Sequence, residues 1–235
     1  MQCPRCFWLD VRLKIKRPSS PPFNINKAID ERFKKECDVD REKGEQHPLM
    51  KDNNLDGILP YKHAELDKWR ENFVGVVHLH EPTNLHLFGA VDDIWADKDG
   101  KLIVVDYKAT AKDKPVTKLG PEGTWQDMYR RQMEIYQWLL KQNGFDVSDT
   151  GYFVYATGTQ DRDGFNNVVE FDTHVFPHHG NSDWVEDTVK KMKQVMDSEE
   201  MPPGGTAAMG GPCEHCEYAK ARTKLTLDFV QKRKS

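Results

Sequence analysis

Residues 85–108, LHLFGAVDDIWADKDGKLIVVDYK, constrain this chain most, because two apolar runs meet there across an Asp-Gly turn signal. The spacing predicts a hairpin turning at Lys98-Asp99-Gly100-Lys101. Along its second strand Leu102, Val104, Asp106 and Lys108 share one face, and Ile103, Val105 and Tyr107 share the other. Both faces are largely apolar, which predicts a central strand covered on both sides. That strand nevertheless ends on a carboxylate and an ammonium, and the first strand carries Asp92 and Asp93 directly after Gly89-Ala90-Val91. Carboxylates at the ends of buried strands cost desolvation energy unless a cation or a reaction uses them. A metal-dependent site is expected here. On a regular strand Asp93 faces away from Asp92, and it is given surface or cap duty.

A chain of 235 residues is long enough for a sizeable core, and we expect one domain over residues 1–235 with its core near 24–200. With 31% charged and 37% hydrophobic residues, no apolar run approaches a membrane span, so no membrane partner is expected. The first residues lack the apolar core of a secretory signal. The chain opens abruptly on its first cysteine pair, which leaves room for an internal start at Met1 after an upstream strand or helix; expression from an extended start tests this. A formal net charge of −4 means that any nucleic-acid contact must come from a local basic groove rather than the whole-molecule field. Five cysteines include two CxxC pairs, Cys3/Cys6 and Cys213/Cys216, with Cys37 left over. Without an export signal, such pairs argue for a metal site before disulfides.

In chain order, residues 7–13 predict a short helix whose Phe7 and Trp8 reach the core, and residues 17–22 a proline-rich loop. Asn24 or Asn26 is expected to cap a helix over about 25–38, with Ala28, Ile29, Phe33 and Cys37 as its apolar stripe. Asp30, Lys34 and Asp38 share a polar face beside it. Residues 41–56 read as irregular, 61–73 as a helix, and 75–81 as a strand with His78 and His80 on one face. A connector over 109–123 carries Lys112, Lys114 and Lys118, placed to touch phosphates. A helix over 125–142 stops at Asn143-Gly144. Its inward stripe is Met128, Ile135, Tyr136 and Leu139, with the amide of Gln132 in the middle and in need of a partner. Strands at 151–157 and 168–176 flank a polar loop at 161–164, followed by a helix at 184–196. His174, His178 and His179 read as surface residues. A flexible Gly/Pro lead over 201–212 precedes Cys213, and the tail at 232–234 is expected to fray.

Asp92 and Asp106 can hold one or two Mg²⁺ or Mn²⁺ ions through oxygen ligands. Such an ion lowers the pKa of a water and neutralises phosphate charge. Lys108, on the face of Asp106, can orient the water or stabilise developing charge. The plainer reading is a structural ion pair at a strand end. Gly89-Ala90-Val91-Asp92, Asp106-Tyr107-Lys108 and Gln132 to Tyr136 resemble, in order and spacing, the GxxD, DxK and QxxxY motifs of RecB-like PD-(D/E)XK nucleases.

The resemblance covers most of the chain and implies an α/β restriction-endonuclease-like core, a central mixed β-sheet flanked by helices. By it, Asp92 and Asp106 are metal ligands, Lys108 is the catalytic lysine, and the Tyr107 carbonyl completes the metal shell. Gln132 and Tyr136 line the site and bind the nucleic-acid strand, against a plainer reading as a core amide and a core aromatic. The family commonly carries a His or Glu ligand on an early helix. This chain has no histidine there, and Asp30, preferred over Glu31, is the substitute, although a solvated helix face explains both. The four paired cysteines meet only if the chain ends meet, which makes a clasp of residues 1–16 and 206–222. The resemblance is to members with an iron–sulfur clasp, AddB-type subunits and CRISPR-adaptation exonucleases. Those usually place one cysteine early and three late; here the division is two and two, with Arg222 near the position of a third late cysteine. Four thiolates suit a [4Fe–4S] cluster or Zn²⁺ on chemistry alone, and the resemblance favours the cluster. Two separate redox pairs are the plainer alternative, and Cys37 reads as a buried small hydrophobe.

The expected activity is Mg²⁺- or Mn²⁺-dependent DNA hydrolysis on single strands or ends, in a bacterial cytoplasm or for a phage acting there, alongside a helicase or nuclease-complex partner. The alternatives are a non-catalytic DNA-binding scaffold of the same fold and a zinc-stabilised interaction domain.

Overall fold

The apolar run that ends in Asp106 and Lys108 forms the middle strand of the larger of the two sheets found among the described residues. The computed structural model describes residues 2–19, 24–160, 164, 166–208 and 210–234. The parts of the expected loops at 20–22 and 161–163, and Met209 of the Gly/Pro lead, lie outside the described residues. The first elements are α1 (Pro4–Leu13), α2 (Asn24–Lys43), α3 (Pro48–Asp52), β1 (Leu59–Pro60), α4 (Leu66–Arg70), β2 (Val76–His80) and β3 (Leu85–Gly89). They are followed by β4 (Asp93–Ala96), β5 (Leu102–Ala111), α5 (Asp127–Gln142), β6 (Thr150–Gly158), β7 (Phe171–His179), α6 (Asp183–Asp197) and α7 (Glu214–Lys234). Among the described residues no helix is long and apolar enough to cross a membrane.

Two compact units divide the chain: Pro22–Gly120 with Tyr129–Val185, and Met1–Pro21 with Pro121–Met128 and Glu186–Ser235. The first holds a five-stranded mixed sheet in the order β1-β4-β5-β6-β7, in which β5 and β6 run parallel and the other pairs antiparallel. One face of β5 presents Ile103, Val105 and Tyr107 to a core that also contains Cys37, Met50, Trp95 and Val154. Phe33 of α2 stacks on Tyr107 with ring centroids 5.1 Å apart. The other face is covered by α5, whose Met133, Leu139 and Leu140 are completely buried. There Gly151 is needed for close approach, because a Cβ would stand 2.3 Å from Met133 Sδ and 2.8 Å from the Val104 carbonyl.

The turn at 98–101 forms, with Gly100 at φ +82° and Asp97 Oδ1 accepting the N–H groups of Asp99 and Lys101. The strand before it is not continuous. Residues 85–89 pair with β2 in a separate two-stranded sheet, and the chain changes sheets across 90–92. Gly89 packs so closely on Tyr136 that a Cβ would lie 2.6 Å from its ring, while the Val91 N–H leaves the ladder for the Trp69 carbonyl. Helix α2 continues to Lys43, and Asn26 is inside it, donating to the Ala109 carbonyl rather than capping. The helix expected at 61–73 is reduced to α4, because the Tyr61 N–H pairs with the Ile94 carbonyl at the sheet edge. On α5 the inward register differs: Met128 is 44% exposed, Met133 replaces it, and the buried structural amide is Gln137, which donates to the Ser148 and Asp149 carbonyls.

His178 is not a free surface residue: its Nε2 lies 3.0 Å from Glu134 Oε1, and both side chains are largely buried. His179 bonds the Thr150 hydroxyl at 2.8 Å. In the second unit Trp8 is buried and donates to the Ser198 carbonyl. The tail expected to fray is the last turn of α7.

Candidate functional site

Strand β5 carries its side chains from core to solvent, and the change occurs between Asp106 and Lys108. Asp106 is fully buried with Oδ2 2.5 Å from Lys108 Nζ. Apart from this ion pair neither carboxylate oxygen has a hydrogen-bond partner among the described residues. Asp92 sits in the bend that follows the sheet change, its Oδ2 accepting the Tyr107 N–H at 2.9 Å. From α2, Asp30 enters with Oδ2 2.7 Å from Lys34 Nζ and with Oδ1 buried and unpartnered. From α5, Tyr129 places its ring 4.8 Å from Lys108 Nζ, and Gln132 Nε2 donates to the Tyr136 hydroxyl at 2.7 Å.

Asp30, Asp92, Tyr107, Lys108, Tyr129 and Gln132 line one pocket of about 400 Å³, joined by Asn26, Lys27 and Asn72. Asp106 and Tyr136 lie behind this lining, reached through Lys108 and Gln132 respectively. Glu31 is not among the lining residues; its carboxylate is half exposed, 4.0 Å from Lys34 Nζ. Tyr129, Asn26 and Asn72 were not expected. Tyr129 had a readable signal, since Tyr129, Gln132 and Tyr136 stand at i, i+3 and i+7 on one helix face. Asn26 and Asn72 gave none, because each arrives from a separate element.

The electrostatics follow from burial. Removal from water, then the charge of Asp106, pushes Asp92 up to about 7. Burial also raises Asp106, with Lys108 opposing. Asp30 is raised by burial and by the charge of Asp92. For Lys108 burial acts downward, but the carboxylates of Asp106 and Asp92 outweigh it and hold the ammonium above the usual lysine range. Three acidic groups thus resist ionisation together. A buried carboxylate oxygen with no donor, beside a second carboxylate facing a pocket, fits a hard divalent cation bound through oxygen.

Asp93 departs from its expected role. It is fully buried, and its Oδ1 accepts from Arg41 Nη2 at 2.5 Å, Arg70 Nη2 at 2.7 Å and the Ile94 N–H at 2.8 Å. Its Oδ2 accepts from the Tyr107 hydroxyl at 2.8 Å. Asp38 completes the network by pairing with both arginines. Asp38 and Arg41 therefore serve this network, on the face of the sheet opposite Asp106. Cys37 lies in the same core, and burial pushes its thiol up to about 12.

Cys3, Cys6, Cys213 and Cys216 meet in the second unit, with their sulfurs all within 4.8 Å of one another. Cys3 stands just before α1 and Cys213 just before α7. Gly205 joins the two ends: its N–H donates to Cys3 Sγ at 3.2 Å and its carbonyl accepts the Cys213 N–H at 2.8 Å. A Cβ there would lie 2.1 Å from the Gln2 carbonyl oxygen, so only glycine fits. The Gly/Pro lead, expected to be flexible, is pinned at this point. Burial acts to raise the Cys3 thiol, but the N–H groups of Cys6 and Gly205 outweigh it and bring it down to about 6. Burial and the neighbouring thiols raise Cys216. Such a group can bind a metal ion or a cluster.

The chain matches the family described as the PD-(D/E)XK nuclease superfamily over residues 24–221. No curated protein and no solved structure matches it.

Proposed function

Because the chain belongs to the PD-(D/E)XK nuclease superfamily, whose members are generally nucleases, we propose that it is a metal-dependent deoxyribonuclease of the RecB-like type. The carrying observation is the buried Asp106 carboxylate beside Asp92: its Oδ2 is held by Lys108 Nζ, and its Oδ1 has no partner among the described residues. Asp92 and Asp106 are the residues that would hold Mg²⁺ or Mn²⁺, with the Tyr107 carbonyl and Asp30 as further oxygen donors. When bound, the ion supplies a more acidic water and offsets the negative charge gathering on the phosphate.

The rest is the work of the chain itself. The Tyr107 N–H fixes the orientation of Asp92. Lys108, protonated and held by Asp106, sets a positive charge against the scissile phosphate and orients the attacking water. Gln132, braced by the Tyr136 hydroxyl, positions the strand in the pocket. Lys112, Lys114 and Lys118 are exposed beyond the end of β5, where they can follow a phosphate backbone.

The second reading, a DNA-binding scaffold without catalysis, draws on Asp30, whose Oδ2 is taken by Lys34 instead of remaining free for an ion. Incubating the protein with end-labelled single- and double-stranded DNA, in Mn²⁺ and in EDTA, separates the two. Metal-dependent cleavage is expected. Salt-sensitive binding without cleavage in either condition would leave only the scaffold.

A further inference from the structure

The cysteine sulfurs stand too close together for the cluster that the family resemblance implies. Cys3 and Cys216 are 3.6 Å apart, and Cys6 is 3.7 Å from both Cys213 and Cys216. These separations exceed any disulfide bond, and all four are free thiols. Four thiolates bound tetrahedrally to one zinc at ~2.3 Å have sulfurs about 3.8 Å apart. In a [4Fe–4S] cluster each thiolate ends on a different corner iron, which spreads the sulfurs to about 6 Å. Even the upper limit of 4.8 Å here is well short of that.

We propose that Cys3, Cys6, Cys213 and Cys216 hold a single Zn²⁺ ion that closes the two chain ends into one structural site. Three features of the surroundings support it. Cys3, Cys6 and Cys213 are buried, and with four thiolates converging on one point there is no open position for a substrate, as in structural zinc sites. The backbone ties the two chain ends together beside the sulfurs, because the Gly205 N–H reaches Cys3 Sγ at 3.2 Å while the Thr206 N–H binds the Gln2 carbonyl at 3.0 Å. Arg17 Nη2, 3.9 Å from Cys213 Sγ, sets a positive charge against the excess negative charge of four thiolates around a divalent ion. Mononuclear iron would satisfy the same distances, but ferrous iron binds such sites more weakly than zinc.

The test uses the full chain purified anaerobically from cells supplied with both iron and zinc, assayed for bound metals and acid-labile sulfide. About one zinc per chain, no sulfide and no brown absorbance are expected. Replacement by Co²⁺ should then give the visible bands of a tetrahedral cobalt–thiolate centre. Four irons with four sulfides, one iron without sulfide, or a folded chain with no metal would each overturn the assignment. The readout is metal content and spectrum, so the outcome does not depend on whether the carboxylate pocket cleaves DNA.

Discussion

Asp92 and Asp93 are neighbours in the chain and opposites in environment. Asp93 is saturated by two guanidiniums, a phenol and a backbone N–H in a dry core. Asp92 has one backbone donor, faces a pocket that Asp30 also lines, and stands beside a third reluctant carboxylate, Asp106. Tyr107 serves both: its N–H orients Asp92 on one side of the sheet, and its hydroxyl binds Asp93 on the other. The contrast separates an acid kept for the fold from acids kept short of partners. On the proposed reading, stability belongs to the first network and reactivity to the second.

That division can be broken most severely at Asp93. In Asp93→Asn, Arg41 and Arg70 lose their buried counter-charge, and removing one member of such a network costs about 3–5 kcal/mol. Urea denaturation in EDTA should show this loss. A variant as stable as the parent would mean that the network is incidental. The reverse pattern is expected at Asp106. Asp106→Asn relieves a buried charge crowded by Asp92 and Asp30 but takes the counter-charge from Lys108, so stability in EDTA should fall less than in Asp93→Asn while cleavage falls at least about 10²–10³-fold. Lys108→Ala should lose activity on the same scale. Equal loss of stability and activity in Asp106→Asn would erase the distinction between the two centres.

Much of this arrangement could be read from the chain. The strand over 102–108 was legible because alternation and an Asp-Gly turn are local signals, as was the spacing that brings Asp92, Lys108 and Gln132 to the pocket with Asp106 behind Lys108. The Asp93 network was not, because Arg41 and Arg70 come from elements 52 and 23 residues away and their charges follow no period. The break between β3 and β4 was hidden for a different reason. The apolar alternation runs through it, and only the packing of Gly89 on Tyr136 reveals where the strand must end. A small error of helical phase likewise exchanged Gln132 and Gln137 as the amide with a structural role.

Acidification sharpens the comparison with a smaller effect. Asp92 has a folded pKa raised to about 7, above an unfolded value of about 3.9. The folded state therefore binds its proton more tightly, and the metal-free protein should lose stability as pH rises between those values, then level off. A melting curve series in EDTA should show several degrees of decline across that window, and the decline should shrink in Asp92→Asn. Parallel pH profiles for the two proteins would remove Asp92 as the source.

Glu134 provides the opposite sign in the same unit and the smallest effect. Burial acts to raise it, but His178 at 3.0 Å and the Trp184 indole N–H at 2.6 Å outweigh burial and hold it below the usual glutamate range. Its ionised form is thus favoured by folding, so its contribution is present above the unfolded value and lost as pH falls through the folded one. Glu134→Gln keeps the shape and weakens two charge-assisted bonds, which should cost about 1.5–3 kcal/mol at neutral pH. The deficit relative to the parent should close only on acidification below about 4.3, where the Asp92 contribution has almost levelled off. Were the deficit constant down to strongly acid pH, the loss would be one of packing around Gly180, where a Cβ would lie 2.9 Å from Glu134 Cγ, and not of charge.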